Sequence, residues 1–344
     1  MTVELYGNDY LEKNKEEIKA FEKCLRNTVF QSFNWLEIAK KEMISNPLEK
    51  KTDIKFAVMK EGDRCIAIAP LIVRTGRKRN GICILGSNLS SDYLDFLFVD
   101  DITEEQIVYF VNEILSLCGR SELYIRGLPE KSITFKALSS QTGCNLLGKE
   151  RCVSIPFDYA DYDGYLSTLK KSVRQNIRTA ANRMATDGKV GVLSIYKQNV
   201  DASLAKKIQK LYEARRKQQN AHKKSFLDFV YKTRRAISIA LFNYMAYSMV
   251  NNPSSLIITY EIDGCIAAFG HALKNENGDL FFVQISIDDN FRRYSPGIMM
   301  LTEFMKESYK DTKRGRLDLT VGTEQYKYDL GGQDDYICNI IYRR

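Results

Sequence analysis

The chain has 344 residues, of which 44% are apolar and 27% charged, with only six prolines. At roughly 100–200 residues per domain this is a folded two-domain length, and the composition excludes long disorder. Lys and Arg exceed Asp and Glu by eight, and two histidines, His222 and His271, exclude a His-rich metal site. No run approaches the ~18 consecutive apolar residues of a membrane helix, and residues 1–30 are too charged for a signal peptide. A cytoplasmic protein is expected. The eight cysteines form no C-x-x-C pair. Buried free thiols are the expected state, with a disulfide or a nucleophile as alternatives and zinc disfavoured.

Glu12 to Met43 has helical character, with Ile18, Phe21 and Leu25 recurring on one face and a shorter helix opening at Phe33-Asn34-Trp35-Leu36. From Ile54 the period becomes that of strands. Lys55–Met59 and Arg64–Leu71 flank the turn Glu61-Gly62-Asp63 as a hairpin. Ile82–Leu85 and Tyr93–Val99 read as strands around the small-residue loop Ser87–Ser91. Glu104–Cys118 reads as an amphipathic helix, and Ser121–Arg126 as a strand closed by Gly127-Leu128-Pro129.

The second half repeats this order about 200 residues later. Leu256–Ile262 and Cys265–Leu273 form a hairpin about Asp263-Gly264. A strand at Leu280–Ile287, a helix at Pro296–Tyr309 and a strand at Arg316–Val321 follow. Cys65-Ile66-Ala67 aligns with Cys265-Ile266-Ala267, and Leu123–Gly127 with Leu317–Val321. Two copies of one α/β unit are expected, spanning 1–155 and 156–344. Between the hairpins, residues 161–250 hold 18 basic against 6 acidic residues, so the rest of the chain is net negative. Helices are expected at Tyr165–Ala185, Ala202–Gln219 and Phe226–Met249. Lys170, Arg174 and Arg178 share one face of the first, and Leu166, Leu169, Val173 and Ile177 another.

The stretch Ile287 to Met300 is the most informative in the sequence. A strand leads through Arg292-Arg293-Tyr294-Ser295 into a helix opening at Pro296-Gly297-Ile298, and proline suits the first helical position. Free N–H groups, the helix dipole and two arginines suit a diphosphate, with an ordinary capped helix start and solvated arginines as the alternative when the stretch is read alone.

This constellation resembles the GNAT superfamily of N-acetyltransferases, in which such a loop holds the pyrophosphate of acyl-coenzyme A. The family spacing Arg/Gln-x-x-Gly-x-Gly/Ala is kept by Arg292-x-x-Ser295-x-Gly297, with serine for the first glycine. Tyr294-Ser295-Pro296-Gly297 with Leu317-Asp318-Leu319-Thr320-Val321-Gly322-Thr323-Glu324-Gln325-Tyr326-Lys327 is similar to the CelD/BcsL-type acetyltransferases. Phe33-x-Trp35-Leu36, Ala69-Pro70-Leu71 and Ser91-Asp92-Tyr93 occur where that family has comparable words. Lys171–Arg178 resembles a basic helix shared with FemAB-type aminoacyl transferases.

The resemblance, spanning roughly residues 30–340, implies two tandem GNAT-like folds, each a mixed, mostly antiparallel sheet flanked by helices. It implies acyl-coenzyme A, acetyl-coenzyme A first, as donor, with no metal. The donor would be held by Arg292, Arg293, Ser295, Pro296, Gly297, Ile298, Lys327 and the strand backbone at Val283 and Ile285. The acceptor would be a small-molecule amine, such as an amino sugar of polysaccharide biosynthesis. Glu324 is a candidate base or an exposed strand-end carboxylate. Tyr326 is a proton donor to the leaving thiolate or a packed aromatic, and His271 a second base or a satisfied core histidine. Gln284, polar in an apolar run, and Arg174, Arg178, Asp92 and Tyr93 are candidate acceptor contacts.

The first half lacks a second such loop, because its junction Val99–Glu105 is acidic. One site, in the second half, is expected. The basic segment reads as a solvated helical face, or as a surface for an acyl-carrier protein, a nucleotide-sugar phosphate, lipid headgroups or a charged transfer RNA. A FemAB-like aminoacyl transferase and a non-catalytic GNAT-like module, which Ser295 leaves open, are the alternatives.

Overall fold

In the computed structural model, residues 1–24, 28–45, 52–74, 81–87, 91–197, 200–221 and 252–344 are described. The helix expected over Phe226–Met249, the basic pair Lys223-Lys224 and His222 lie outside them.

The chain forms two compact units, Met1–Cys152 with Asp334–Arg344, and Val153–Gln333. The first opens with β1 (Thr2–Tyr6), α1 (Tyr10–Lys13), α2 (Lys15–Phe21) and α3 (Phe33–Ser45), then β2 (Thr52–Glu61), β3 (Arg64–Arg74) and β4 (Ile82–Ile84). It continues through β5 (Leu97–Phe98), α4 (Glu104–Leu117), β6 (Glu122–Pro129) and α5 (Ile133–Ser139), and β7 (Cys144–Pro156) leads out of it. The second unit holds α6 (Tyr162–Thr168), α7 (Lys171–Thr186), β8 (Gly191–Lys197), α8 (Ala202–Ala221), β9 (Ser255–Ile262), β10 (Cys265–Lys274) and β11 (Leu280–Ile287). Next come α9 (Pro296–Ser308), β12 (Arg316–Val321) and α10 (Gln325–Asp329). The last strand, β13 (Gln333–Arg343), expected with the second half, pairs antiparallel with β6 of the first.

In unit 1 the strand order is β1-β2-β3-β4-β6-β13, with β5 beside β3. In unit 2 it is β12-β11-β10-β9-β8. Neighbours in both runs are antiparallel except one pair in each, β4 with β6 and β11 with β12. The expected mixed, mostly antiparallel sheets flanked by helices are therefore present in both halves.

Each sheet is covered by a helix with apolar residues on one stripe. In α4, Ile107, Phe110, Val111 and Ile114 recur at i, i+3, i+4 and i+7 and are completely buried. In unit 2, Met300, Leu301, Phe304 and Met305 of α9 pack with Ala268, Ala272 and Phe282. Burying four such side chains contributes about 1.5–3 kcal/mol each.

Some expectations differ from what is found. The helical segment over Glu12–Met43 consists of separate helices, the last of which opens at Phe33 as expected, and Tyr93–Val99 pairs as a strand only at Leu97–Phe98. The helix expected over Tyr165–Ala185 breaks at Leu169, whose extended backbone turns its side chain into the core before α7 starts. Outward, α7 still carries its basic residues, while Val173, Ala180 and Met184 are buried beneath. All eight cysteines are thiols outside any disulfide, but only Cys83, Cys152 and Cys338 are buried, and Cys265 is exposed.

Candidate functional site

The site begins where β11 and β12 part. These parallel strands are paired only at Leu280 with Leu317 and Phe281 with Asp318, although they run on to Ile287 and Val321. On its other side β11 bulges, so that His271 faces Gln284 while Ala272 faces Phe282 and Val283 is the extra residue. A bulge increases local twist and re-aims the strand. Beyond Phe281 the main-chain ladder between β11 and β12 ends, and Thr320 Oγ1 donates to the Phe282 carbonyl at 3.2 Å across the widening gap. Thr320 holds this position at φ 55°, left-handed for a β-branched residue and costing about 1–3 kcal/mol. The buried Asp318 accepts its N–H at 2.8 Å and holds it there.

The gap opens into a cavity of about 470 Å³. Phe282, Val283, Gln284, Ile285 and Ile287 form one wall, and Leu319, Thr320, Val321, Glu324, Tyr326 and Lys327 another. The loop and helix contribute Arg292, Ser295, Pro296, Gly297, Ile298 and Leu301, and α8 contributes Arg215.

The N-terminus of α9 forms one end of this cavity. Ser295 is its N-cap at φ 49°, and its side chain caps nothing. It adopts the left-handed backbone for which glycine is the usual residue, so serine keeps the turn. Its own N–H goes to the Arg292 carbonyl at 3.0 Å, and the first intrahelical bond is from Met299 N to Ser295 O. Proline at 296 has no N–H. Gly297 and Ile298 thus present the donors of the first turn without a side-chain cap, a setting that favours an anion. A Cβ at Gly297 would lie 3.0 Å from Ile287 Cγ2, so a larger residue would need the Ile287 side chain to give way where the helix starts beside β11. Arg292 lines the cavity beside it.

At the β12 side, Lys327 is buried and its ammonium contacts the carbonyls of Thr320 at 3.2 Å, Val321 at 3.0 Å and Gly322 at 3.4 Å. It also pairs with Glu324 at 3.1 Å, while the Glu324 side chain keeps 58% of its surface exposed. The lysine thus gathers the strand end and aims the carboxylate. Burial foremost, and then the Glu324 charge, pushes the Tyr326 hydroxyl up to about 12 against the opposing Arg215. Tyr326 is therefore protonated at neutral pH.

Eleven of the residues expected at a site, Val283, Gln284, Ile285, Arg292, Ser295, Pro296, Gly297, Ile298, Glu324, Tyr326 and Lys327, are brought together here. Six are not among the lining residues, and Lys327 needs a different role. Its ammonium is committed to the strand-end carbonyls rather than to a phosphate. Arg293 turns away to Asp187 at the end of α7, at 3.0 Å, and its carbonyl accepts from Arg183. His271 is completely buried and does not line the cavity, and burial pushes its ring down to about 3, so it is neutral and weakly basic. Arg174 and Arg178 lie on α7, Arg174 donating to the Ser167 carbonyl at 2.9 Å and Arg178 exposed. Asp92 and Tyr93 belong to unit 1. Tyr93 is buried, its carbonyl accepting from Gln31 at 2.8 Å and its ring lying against Phe30.

Arg215 was not expected at a site. Its signal was helical spacing: Ile208, completely buried, and Tyr212 precede it on one face of α8, so Arg215 points where the helix packs. Thr320 gave no signal, since nothing local marks a left-handed threonine.

Residues 171–328 match the model of the acetyltransferase (GNAT) domain family. Every cavity residue falls within that range. No curated protein matches the chain in sequence. Among solved structures, a conserved protein of unknown function from Bacteroides thetaiotaomicron superposes with a TM-score of 0.60 at 14% identity, covering 99% of this chain and 100% of its own. FemX gives 0.58 at 12%, covering 100% and 98%. A tandem GNAT protein from the clavulanic acid biosynthesis pathway gives 0.50 at 10%, covering 99% and 98%.

The fold is a tandem GNAT fold.

Proposed function

We propose that the chain is an N-acyltransferase that moves an acyl group, acetyl in the simplest case, from acyl-coenzyme A to an amine of a small molecule. The observation that carries this is the splay of β11 and β12 beside an uncapped helix start, with Arg292, Glu324 and Tyr326 on one cavity. The CelD/BcsL-like words of the sequence fall on the same residues, and they extend the reading to an amino sugar of polysaccharide biosynthesis as acceptor.

The diphosphate of the donor would sit at the N–H groups of Gly297 and Ile298, with Arg292 as countercharge. The thioester would lie in the gap, where the backbone of β11 beyond its bulge offers donors for the oxygen as negative charge develops. The acceptor nitrogen attacks the thioester carbon, forming the C–N bond as the C–S bond breaks. Glu324 takes the proton from nitrogen, and Tyr326 O–H gives one to the departing sulfur. Lys327 acts by holding Glu324 in place. Arg215 faces the same space and suits an acceptor with an anionic group.

A second reading, aminoacyl transfer from charged transfer RNA, draws on the exposed basic face of α7 and on the FemX-like fold. It predicts steeply salt-dependent RNA binding. An acyl-carrier protein or another anionic carrier would use the same face.

Calorimetric titration with acetyl-coenzyme A separates these readings. Micromolar binding that is weakened at least about tenfold on joint replacement Arg292→Ala and Arg293→Ala supports acyl transfer, with most of the loss from Arg292. No binding of any acyl-coenzyme A would sink it.

A further inference from the structure

The face of β9, β10 and β11 turned away from α9 carries polar side chains where an apolar surface would pack best. Strand register fixes its membership. Thr259, Phe269 and Ser286 lie abreast in one row, and Ile257, His271 and Gln284 in the next. Ser255, Thr259, His271 and Ser286 are all at most 1% exposed. Ser255 Oγ lies 2.8 Å from His271 Nε2. His271 Nδ1 and both amide atoms of Gln284 are buried without a hydrogen-bond partner among the described residues. A buried polar atom left without a partner is costly, and three such atoms on one strand pair call for a ligand that satisfies them.

Gln284 differs from its neighbours in one respect: it borders the cavity. Directly opposed residues of an antiparallel pair have Cβ atoms about 4.5–5.5 Å apart on the same face, so His271 and Gln284 occupy neighbouring positions, with no hydrogen bond joining them in this structure. The buried ring is neutral, with one donor and one acceptor nitrogen. With Nε2 against Ser255, Nδ1 is the ring atom left for Gln284, and the tautomer would decide which amide atom it could engage once a ligand orders the carboxamide.

Taking the acyl-transfer reading as given, we propose that Gln284 grips the acceptor through a neutral hydroxyl or amide beside its amine, and that His271, backed by Ser255, is the positioning residue for Gln284. An acceptor without such a group leaves the carboxamide unpaired in a buried wall, and a site built to hydrogen-bond rejects it strongly. The bulge at Val283 serves this arrangement, because it sets Gln284 opposite His271.

The test uses the full chain, acetyl-coenzyme A, and two amines of one ring size, D-glucosamine and cyclohexylamine. Wild type should favour glucosamine by at least about tenfold in kcat/KM, and Gln284→Leu should bring the ratio near one through KM. His271→Phe should raise the glucosamine KM, and His271→Asn should recover part of it. A second readout does not need turnover. With only two histidines in the chain, ring 15N signals are resolved, and Gln284→Leu should move His271 Nδ1 while Ser255→Ala moves Nε2. A wild-type ratio near one, no transfer to glucosamine, or an Nδ1 signal indifferent to Gln284→Leu overturns the proposal. Failure of the acyl-transfer reading shows separately, as absence of acetyl-coenzyme A binding before any amine is added.

Discussion

β4 with β6 in unit 1 and β11 with β12 in unit 2 share one arrangement and end in opposite ways. Each is a parallel pair bonded over two residues, Ile82 with Leu123 and Cys83 with Tyr124 in one, Leu280 with Leu317 and Phe281 with Asp318 in the other. In unit 1 the chain itself lies against the strand end. Leu94 N donates to the Gly127 carbonyl at 3.2 Å, and a Cβ at Gly127 would come within 2.7 Å of the Asp92 carbonyl oxygen. The next helix, α4, is closed by a capping box in which Thr103 and Gln106 satisfy each other's backbone N–H. In unit 2 the gap is a cavity and the next helix starts uncapped. The repeated frame is the same. What differs is whether the residues after the strand fill the opening or leave donors facing it.

Glu324→Gln should have the largest effect on that difference. It keeps the shape of the unit 2 opening and removes the base, lowering kcat by roughly 10²–10⁴-fold for thiol release from acetyl-coenzyme A with glucosamine. Gly297→Val, which pushes the helix start off Ile287, should weaken acetyl-coenzyme A binding about 100-fold, or about 2.7 kcal/mol, in a calorimetric titration. Gly127→Ala is its counterpart in unit 1. It meets Asp92 at a positive φ of 68°, so it should cost about 1–3 kcal/mol in denaturant unfolding while leaving acetyl-coenzyme A affinity unchanged.

The closed unit should also carry its own pH signature. Asp95, in the segment that follows Asp92, accepts from Thr134 Oγ1 at 2.5 Å and Phe96 N at 2.8 Å. Burial pushes its carboxyl from 3.8 up to about 7, and the hydrogen bonds only partly oppose this. The residue keeps some exposed surface, but these bonds turn the carboxyl inward. A raised pKa means the protonated form fits the fold. Its stability is complete below pH about 4 and is lost as pH rises through about 7. Thermal unfolding of wild type should therefore weaken over that window, and Asp95→Asn should remove the slope. The smallest effect belongs to Arg293→Ala. Its guanidinium is on Asp187, so acetyl-coenzyme A affinity should change by less than about threefold, against about tenfold for Arg292→Ala.

Strand periodicity and turn residues were enough to place the hairpins and the strand and helix that bound the cavity. Leu280–Ile287 and Arg316–Val321 were legible to the residue. So was the helix start, because proline, glycine and the preceding arginines act locally. The splay was not legible. It depends on a bulge at Val283 and on Thr320 in a left-handed backbone held by Asp318, and neither leaves a pattern in sequence. The direction of a charged side chain was equally hidden. Arg292 and Arg293 are adjacent and chemically alike, and only the packing of α7 against the loop sends one to Asp187. His271 shows the same limit: spacing puts it near the site, while the structure buries it outside the cavity lining, where burial lowers its basicity.

The most direct test is the stoichiometry of acetyl-coenzyme A binding to the full chain, measured by calorimetric titration in wild type, Gly297→Val and Gly127→Ala. One molecule per chain, lost in Gly297→Val and kept in Gly127→Ala, is the predicted result. Two molecules per chain, binding that survives Gly297→Val, or no binding at all would contradict it.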